Sequence, residues 1–205
     1  MAAIIFDFDG TIADTNDHFI DFVAGEAHKQ VTPELRKDLR GLPLAAVSRR
    51  VGHPWWRLPL LYYKGRKAME PFMKDMRAFK GMPEVIRKLH AEGHELFIVS
   101  SNSAKNVGVF LKRHNIHKEF FQIYGGVFIF GKAATLRKLL KDHSIELKNA
   151  VYVGDELRDM QAAESLKMRA VGVLWGFARP GVLESTKPFA VAATPDDLLR
   201  VLEEI

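Results

Sequence analysis

Two aspartates stand two positions apart directly after a short apolar run near the start of the chain. The run Ile4-Ile5-Phe6 leads into Asp7 and Asp9, and Gly10 then breaks an extended strand. These residue types predict a buried strand over residues 3–8, whose carboxyl end would lie where open α/β sheets bind ligands. Two close carboxylates stay ionised only beside a cation, and their oxygens suit Mg²⁺. The alternative is a strand that ends in a solvated acidic turn.

Hydroxyl and amide groups follow the next strand candidate. Residues 95–99 predict a strand, and Ser100-Ser101-Asn102-Ser103 comes directly after it. Hydroxyls and backbone amides between a strand and a helix N-terminus form a cradle for phosphate. The alternative is an ordinary helix-capping cluster, which serine and asparagine often form.

Further charged residues stand at two later junctions. Residues 150–153 predict a strand, which Gly154 ends, and Asp155 and Asp159 follow it. Four positions apart, these two carboxylates would share one face of a helix and join Asp7 at the sheet edge; alternatively, they are acids favoured by the helix dipole. Lys132 opens a helix, where the dipole disfavours a cation, so it either has another role or is a solvated lysine.

The elements that position these residues alternate between strands and helices. Strands are predicted over residues 3–8, 95–99, 120–124, 150–153, 170–174 and 189–191, and helices over 82–91, 104–114, 133–142, 160–166 and 195–204. Alternation at this spacing predicts a parallel sheet with helical crossovers.

Composition restricts the chemistry and the compartment. The 205 residues include no cysteine, which excludes disulfides, thiolate metal sites and a cysteine nucleophile. No apolar run approaches the ~20 residues that cross a membrane, and no secretory signal is visible, so we expect a cytoplasmic protein. The net charge is +5. It is unevenly spread, because the stretch 28–80 carries thirteen Lys and Arg against four Asp and Glu.

The four signals together resemble the motifs of the haloacid dehalogenase-like phosphohydrolases. Asp7-Phe-Asp-Gly-Thr resembles the first motif of that superfamily, Ser100 the second, Lys132 the third, and the stretch from Gly154 to Asp159 the acidic fourth. The resemblance covers residues 1–20 and 80–205. The phrases Val-Ser-Ser-Asn-Ser and Tyr-Val-Gly-Asp-Glu-Leu-Arg-Asp are most similar to the phosphoglycolate phosphatase-like branch, which carries an α-helical cap where the basic stretch falls.

The resemblance implies a fold and a domain division. The fold class is α/β, with a Rossmann-like three-layer α/β/α parallel sheet core and a small α-helical cap inserted after the first strand. The expected core comprises residues 1–15 and 81–205, and the basic cap comprises residues 16–80.

The resemblance also implies a mechanism that starts from the first motif. Asp7 would be the nucleophile that forms an aspartyl-phosphate, and Asp9 would protonate the leaving oxygen. Because the dehalogenases of the superfamily lack an acid at the position of Asp9, this residue favours phosphate esters as substrates. Magnesium would be held by Asp7, the backbone carbonyl of Asp9 and Asp155, with Asp159 as a further ligand or support.

The phosphoryl oxygens would be bound by the second and third motifs. Ser100 and Lys132 are the expected ligands, with Ser101 and Asn102 as additional donors, and Lys132 would also neutralise the carboxylates. From the sequence alone, Ser101 or Ser103 could take the role assigned to Ser100.

Substrate selectivity would come from the cap in such enzymes. Its candidates are basic and aromatic residues, which would bind an anionic group beyond the phosphate: Arg49, Arg50, His53, Trp55, Trp56 and Arg57. The alternative is that the apolar ones form the core of the cap itself: Trp55, Trp56, Leu58, Leu60 and Leu61. The same stretch could face a polyanionic surface, but no nucleic-acid motif accompanies it, so nucleic acid is not expected as a partner.

The sequence thus predicts a Mg²⁺-dependent phosphatase that hydrolyses a small phosphorylated metabolite, a phosphomonoester such as phosphoglycolate. A phosphomutase of the same superfamily would use the same residues, and a non-catalytic protein that binds through the basic cap is a further alternative. The sequence leaves open whether the protein is a monomer or a homodimer.

Overall fold

A single parallel sheet organises the part of the chain that the computed structural model describes, namely residues 1–39, 42, 44–128, 131–178 and 181–205. The side chains of Leu44, Ala45, Trp55, Leu58, Tyr62 and Arg66 also lie outside this description. The six strands have the order β3-β2-β1-β4-β5-β6, and every neighbouring pair is parallel, as predicted. They are β1 (Ala3–Phe6), β2 (Glu95–Val99), β3 (Phe120–Tyr124), β4 (Ala150–Gly154), β5 (Arg169–Val173) and β6 (Ala190–Ala192).

Helices cover both faces of the sheet and fill the connection between β1 and β2. In the described residues they are α1 (Asn16–Glu26), α2 (Pro33–Leu39), α3 (Leu44–Val51), α4 (Leu58–Met69), α5 (Met82–Ala91), α6 (Ala104–Arg113), α7 (Lys132–Asp142), α8 (Leu157–Glu164) and α9 (Pro195–Glu203). Short 3₁₀ turns precede and follow α4, at Trp55–Arg57 and Glu70–Lys74. None of the described helices is both long and apolar enough to cross a bilayer.

The two faces of the sheet build two separate cores, because successive residues of a strand point to opposite sides. In β1, Ile4 and Phe6 pack with α5, α6 and α9, whereas Ala3 and Ile5 pack with α7 and α8. All four residues are buried, so β1 is covered on both faces, as strands of parallel sheets are. This three-layer α/β/α arrangement confirms the predicted fold class.

The helices between β1 and β2 have a small core of their own. Its buried members come from α1, α2 and α3: Ile20, Val23, Ala24, Leu39, Val47 and Val51. The alternative cap core that the sequence offered is only partly present, since Leu61 is buried but Trp56 and Leu60 are exposed. The expected division into core residues 1–15 and 81–205 and cap residues 16–80 stays a prediction.

Two elements differ from the predicted bounds by two residues or more, and both differences lie beside the functional residues. Strand β1 ends at Phe6, two residues early, because the carbonyl of Phe8 accepts hydrogen bonds from the backbone N–H groups of Thr11, Ile12 and Ala13 and turns the chain. Helix α8 begins at Leu157, three residues early, because Glu156 and Asp159 form a reciprocal capping box.

Candidate active site

Asp7 lies at the carboxyl edge of the sheet, at the point where the strand order reverses between β1 and β4. Its backbone N–H donates to the carbonyl of Val153 (2.8 Å), which continues the pairing of β1 with β4 by one residue. The side chain is buried, and Gly10 turns the chain away with a φ of 82°. A crevice at such a reversal is where open α/β sheets bind ligands.

Lys132, at the first position of α7, joins two of the predicted carboxylates. Its Nζ lies 2.7 Å from Oδ2 of Asp7 and donates a hydrogen bond to Oδ1 of Asp159. The ammonium group and both carboxylates are almost completely buried. The sequence therefore places a cation at an unfavourable helix N-terminus because two buried acids require it there.

Asp155 is held by neutral donors rather than by a cation. Its Oδ1 accepts from Oγ1 of Thr11 (3.0 Å), and its Oδ2 accepts from the backbone N–H of Phe177 (2.6 Å). A methyl group at Gly10 or at Gly176 would overlap the Asp155 carboxylate, so two glycines make room for it. The loop after β5 thus contributes to the site through its backbone.

Asp155 and Asp159 come together, but not on one helical face. Asp155 precedes α8, whereas Asp159 is its third residue and accepts a hydrogen bond from the backbone N–H of Glu156 (3.0 Å). The prediction of a shared i, i+4 face was therefore wrong. The capping turn at the start of α8 brings both carboxylates to Asp7.

The electrostatics of the cluster reflect burial and crowding. Burial raises the pKa of Asp7 to about 7, although the nearby Lys132 opposes this shift. Burial, together with the neighbouring carboxylates of Glu156, Asp159 and Asp7, raises the pKa of Asp155 well above its usual value. Burial lowers the pKa of Lys132, but Asp159 and Asp7 outweigh it and leave that pKa raised.

The donor set fits a divalent cation. One carboxylate oxygen from each of Asp7, Asp155 and Asp159 lies within 4.8 Å of the others, and all three residues are buried. Lys132 forms ion pairs with Asp7 and Asp159, but one lysine does not balance three ionised carboxylates. A hard divalent ion with oxygen ligands would neutralise them.

Asp9 faces a different set of partners from Asp7. Its Oδ1 accepts from Nδ2 of Asn102 (3.2 Å) and its Oδ2 from Oγ of Ser100 (3.4 Å). Burial raises the pKa of Asp9, and the hydrogen bond from Asn102 opposes the shift. Its carboxylate is thus separate from the cluster that could hold a metal.

The residues after β2 divide into two roles. Ser100 is fully buried, and its Oγ also accepts from the backbone N–H of Asn102 (2.9 Å). Ser103 caps α6, since its Oγ accepts from the backbone N–H of Asn106 (3.1 Å). Capping is therefore the structural role of Ser103, and Ser100 is the hydroxyl that contacts Asp9. Ser101 is half-buried.

A small cavity of about 50 Å³ opens over Asp9, between the sheet edge and the helices that follow β1. Its described polar lining consists of Asp9, Thr15, Ser101, Asn102, Glu156 and Arg158. Its apolar wall consists of Phe19 from α1, Gly65 and Met69 from α4, and Phe177. The rings of Phe19 and Phe177 meet edge to face at 5.7 Å, which joins the helical segment to the core across the cavity.

The predicted cap residues are not among the described residues that line this cavity. Arg49 and Arg50 are exposed, and Arg50 lies 3.6 Å from Asp38. His53 is buried, and the side chain of Trp55 lies outside the described part of the chain. The described candidates Arg49, Arg50 and His53 thus do not line this cavity, and the role of the cap residues in selectivity stays a prediction.

Several groups that shape the site were not assigned a role from the sequence. Tyr152 donates to Oδ1 of Asp159 (3.3 Å) from the middle of a buried strand, where its type and position predict only core packing. The backbone N–H of Phe177 could not be recognised from the sequence, because a backbone donor does not depend on the residue type. Arg158 carried a signal that could have been used, because a cation in the first turn of a helix is disfavoured by the dipole.

Comparison with known proteins shows the family. The haloacid dehalogenase-like hydrolase family matches residues 4–173, and the chain belongs to this family. A phosphoglycolate phosphatase of Synechococcus elongatus is 30% identical over 213 residues, which cover 100% of this chain and 99% of that protein. A pyrophosphatase of Listeria welshimeri is 23% identical, with 100% of this chain and 97% of that protein covered.

Solved structures share the fold over the whole chain. One titled a predicted phosphatase from Clostridium acetobutylicum has a TM-score of 0.81 at 18% identity and covers 100% of this chain and 99% of its own. One titled a predicted phosphoglycolate phosphatase from Haemophilus somnus has a TM-score of 0.75 at 21% identity, with 98% of each chain covered. The predicted resemblance to the phosphoglycolate phosphatase-like phosphohydrolases of this superfamily is confirmed.

Proposed function

We propose that the protein is a Mg²⁺-dependent phosphatase that hydrolyses a small phosphomonoester through an aspartyl-phosphate intermediate. One observation carries the proposal. Asp7, Asp155 and Asp159 form a buried carboxylate cluster neutralised in part by Lys132, and Asp9 next to it lines a small cavity. Phosphoryl transfer requires mainly positioning and charge neutralisation, and this arrangement supplies both.

In the proposed reaction, the two aspartates of the first motif have separate tasks. A carboxylate oxygen of Asp7 forms a bond to phosphorus, and the bond from phosphorus to the ester oxygen breaks. Asp9, held by Asn102 and Ser100, gives its proton to the leaving oxygen. A water molecule then attacks the phosphorus of the aspartyl-phosphate and gives a proton to Asp9, which frees phosphate and restores Asp7.

The remaining residues hold the phosphoryl group and balance its charge. Lys132, which already contacts Asp7, would bind a phosphoryl oxygen, and Ser100, Ser101 and Asn102 would supply neutral donors. The carboxylates of Asp7, Asp155 and Asp159, with the backbone carbonyl of Asp9, would hold Mg²⁺. When bound, that ion would supply positive charge against the phosphoryl oxygens.

The size of the cavity supports a small substrate. The cavity of about 50 Å³ is bounded by side chains of α1 and α4 and by Phe177, so the space beyond the phosphate is small while the helices stay in place. The full-length similarity to a phosphoglycolate phosphatase supports a substrate of this size, and 2-phosphoglycolate is the substrate we propose to test first.

Phosphate release from a panel of phosphorylated compounds tests the proposal. The panel contains 2-phosphoglycolate, pyrophosphate, a 5′-nucleotide and 4-nitrophenyl phosphate, each with Mg²⁺ and with a chelator. We expect release that requires Mg²⁺, is lost in Asp7→Asn, and persists in the exposed control Asp142→Asn. Metal-independent release, or full activity of Asp7→Asn, would contradict the mechanism. A folded protein without turnover on any compound would favour the mutase or the binding protein.

A further inference from the structure

Arg158 is the cation that faces the cavity from the core. Among the described residues that line the cavity, Arg158 is the only cation. Lys132 is not one of these lining residues, and it pairs with Asp7 and Asp159. Arg158 lies between Asp155 and Asp159 in sequence, in the first turn of α8. Its side chain is 21% exposed, so most of the guanidinium and its stem are enclosed.

A neighbouring carboxylate fixes the position of this arginine. Nη2 of Arg158 donates to Oε1 of Glu156 at 2.6 Å, and the Glu156 side chain is only 12% exposed. A guanidinium has five N–H donors in a planar fork, so a charge-assisted contact to one nitrogen orients the whole group. Glu156 therefore acts as a positioning residue for Arg158.

The position of Arg158 in α8 indicates a role beyond the stability of the helix. The dipole disfavours a cation in the first turn, where Asp159 already provides the favoured charge. The charge of Arg158 also reaches the first motif, where it lowers the pKa of both Asp7 and Asp9 against the effect of burial. A cation so close to the reacting groups would also attract a negative charge on the substrate.

We propose that Arg158 determines specificity by binding a carboxylate of the substrate, placed one or two carbon atoms from the phosphorylated oxygen. The substrate class is then a short carboxylated phosphomonoester, which rests on the proposed function. Arg158 lines the same cavity as Asp9, so a carboxylate that it binds would lie close to the phosphate, and the wall formed by Phe19, Met69 and Phe177 is apolar. This assigns to the core a selection that the sequence placed in the basic cap.

A matched pair of substrates isolates the carboxylate. Ethyl phosphate has the same chain length as 2-phosphoglycolate, with a methyl group in place of the carboxylate. We expect Arg158→Gln to lower the ratio of kcat/KM for 2-phosphoglycolate to kcat/KM for ethyl phosphate by about 10- to 100-fold, the range for a charge-assisted hydrogen bond. Arg87→Gln, which removes an exposed arginine that pairs with Glu84 in α5, is the control and should change neither.

Two results would overturn the proposal. An equal loss on both substrates would show that Arg158 supports the reaction or the fold in general, and an unchanged kcat/KM for 2-phosphoglycolate would show that it does not read the carboxylate. Arg158→Lys keeps the charge without the fork. Arg158→Lys should restore part of the preference for 2-phosphoglycolate over ethyl phosphate. If Arg158→Gln does not fold, kcat/KM for the two substrates is compared in Arg158→Lys instead.

A binding measurement separates this proposal from the proposed function. Calorimetry with Asp7→Asn in the presence of Mg²⁺ measures the affinity for each compound without turnover. Adding Arg158→Gln should weaken binding of 2-phosphoglycolate by at least about tenfold and leave binding of ethyl phosphate unchanged. If the wild type hydrolyses neither compound, the proposed function fails, and this arm still decides the role of Arg158. Equally weakened binding of the two compounds, unchanged binding of both, or no binding of 2-phosphoglycolate to Asp7→Asn would refute the proposed role of Arg158.

Discussion

At the scale of single residues, the site depends on one buried lysine. Lys132 contacts two carboxylates that are themselves buried, and a third carboxylate lies within reach of them. Removing one partner of a buried ion pair leaves an uncompensated charge, which costs far more than the pair contributes to stability. Lys132 therefore serves the fold as well as the proposed binding of phosphate.

We predict that Lys132→Met destabilises the metal-free protein by about 3–5 kcal/mol, because Asp7 and Asp159 lose their common cation. Urea denaturation in a chelator measures this difference, and activity on 4-nitrophenyl phosphate should be lost as well. Lys138→Met removes an exposed lysine from the same helix and should leave the unfolding midpoint unchanged. A midpoint in Lys132→Met equal to that of the wild type would mean that the buried pair contributes nothing to folding.

At the same scale, residue types revealed the charged groups and the serine and asparagine donors, but not the backbone N–H of Phe177 or the hydroxyl of Tyr152. Asp7, Asp9, Asp155 and Asp159 stood out because acidic residues directly after an apolar strand are unusual, and Lys132 stood out because the dipole disfavours a cation at a helix N-terminus. Donors such as the backbone N–H of Phe177 could not be located from the sequence, since any residue type provides one. Tyr152 was hidden for another reason: a tyrosine within a buried strand is indistinguishable in sequence from one that only packs.

At the scale of elements, the strands could be placed within one or two residues because each is a short apolar run followed by a glycine or a polar turn. The predicted bounds of β1 and α8 were wrong where local hydrogen bonds, rather than hydrophobic periodicity, set the end or the start of the element. The capping box of Glu156 and Asp159 starts α8 early, and the turn at Phe8 ends β1 early. Both differences lie at the site, where the hydrogen bonds that start the helix or end the strand also position the carboxylates.

The loop after β5 offers a test at this scale. A Cβ at Gly176 would overlap both the Asp155 side chain and the carbonyl of Gly10, so the loop can approach Asp155 only without a side chain. We predict that Gly176→Ala displaces the Asp155 carboxylate and raises the Mg²⁺ concentration for half-maximal activity at least about tenfold, comparable to the loss of a supporting contact at a metal site.

A second glycine provides the matched control for this prediction. A Cβ at Gly25, within α1, would meet no atom within 4 Å, so Gly25→Ala should leave the Mg²⁺ requirement unchanged. It should also stabilise the helix slightly, because alanine loses less conformational entropy there than glycine. An unchanged Mg²⁺ requirement in Gly176→Ala would show that the loop yields without moving Asp155.

At the scale of the whole molecule, positive charge is concentrated in the helical segment between β1 and β2. The described arginines of α3 are exposed on the helical segment, whereas the cavity presents apolar side chains from α1 and α4 toward the core. The excess of positive charge in residues 28–80 was visible in the sequence, but its orientation was not, because it depends on which face of each helix packs on the small core of α1, α2 and α3. Charge composition therefore indicated an anionic partner without locating the contact.

The carboxylate cluster links the stability of the whole chain to the metal. Asp7 directly follows β1, and Asp155 and Asp159 lie at the start of α8, so Asp7 is far from the other two in sequence and the three carboxylates meet only in the folded protein. A ligand that binds only the folded state stabilises it by about 2.7 kcal/mol at a hundredfold excess over its dissociation constant. For a chain of this length, this corresponds to a rise in Tm of about 5–10 °C.

We therefore predict that saturating Mg²⁺ raises the Tm of the wild type by about 5–10 °C in thermal unfolding at constant ionic strength, and that Asp155→Asn loses most of this rise. The asparagine keeps an oxygen that can accept from Thr11 or Phe177 but lacks the charge that attracts the ion. Asp142→Asn, an exposed change in α7, should retain the full rise. A rise of equal size in Asp155→Asn would place the ion elsewhere on the molecule, and no rise in the wild type would mean that Lys132 alone satisfies the buried carboxylates.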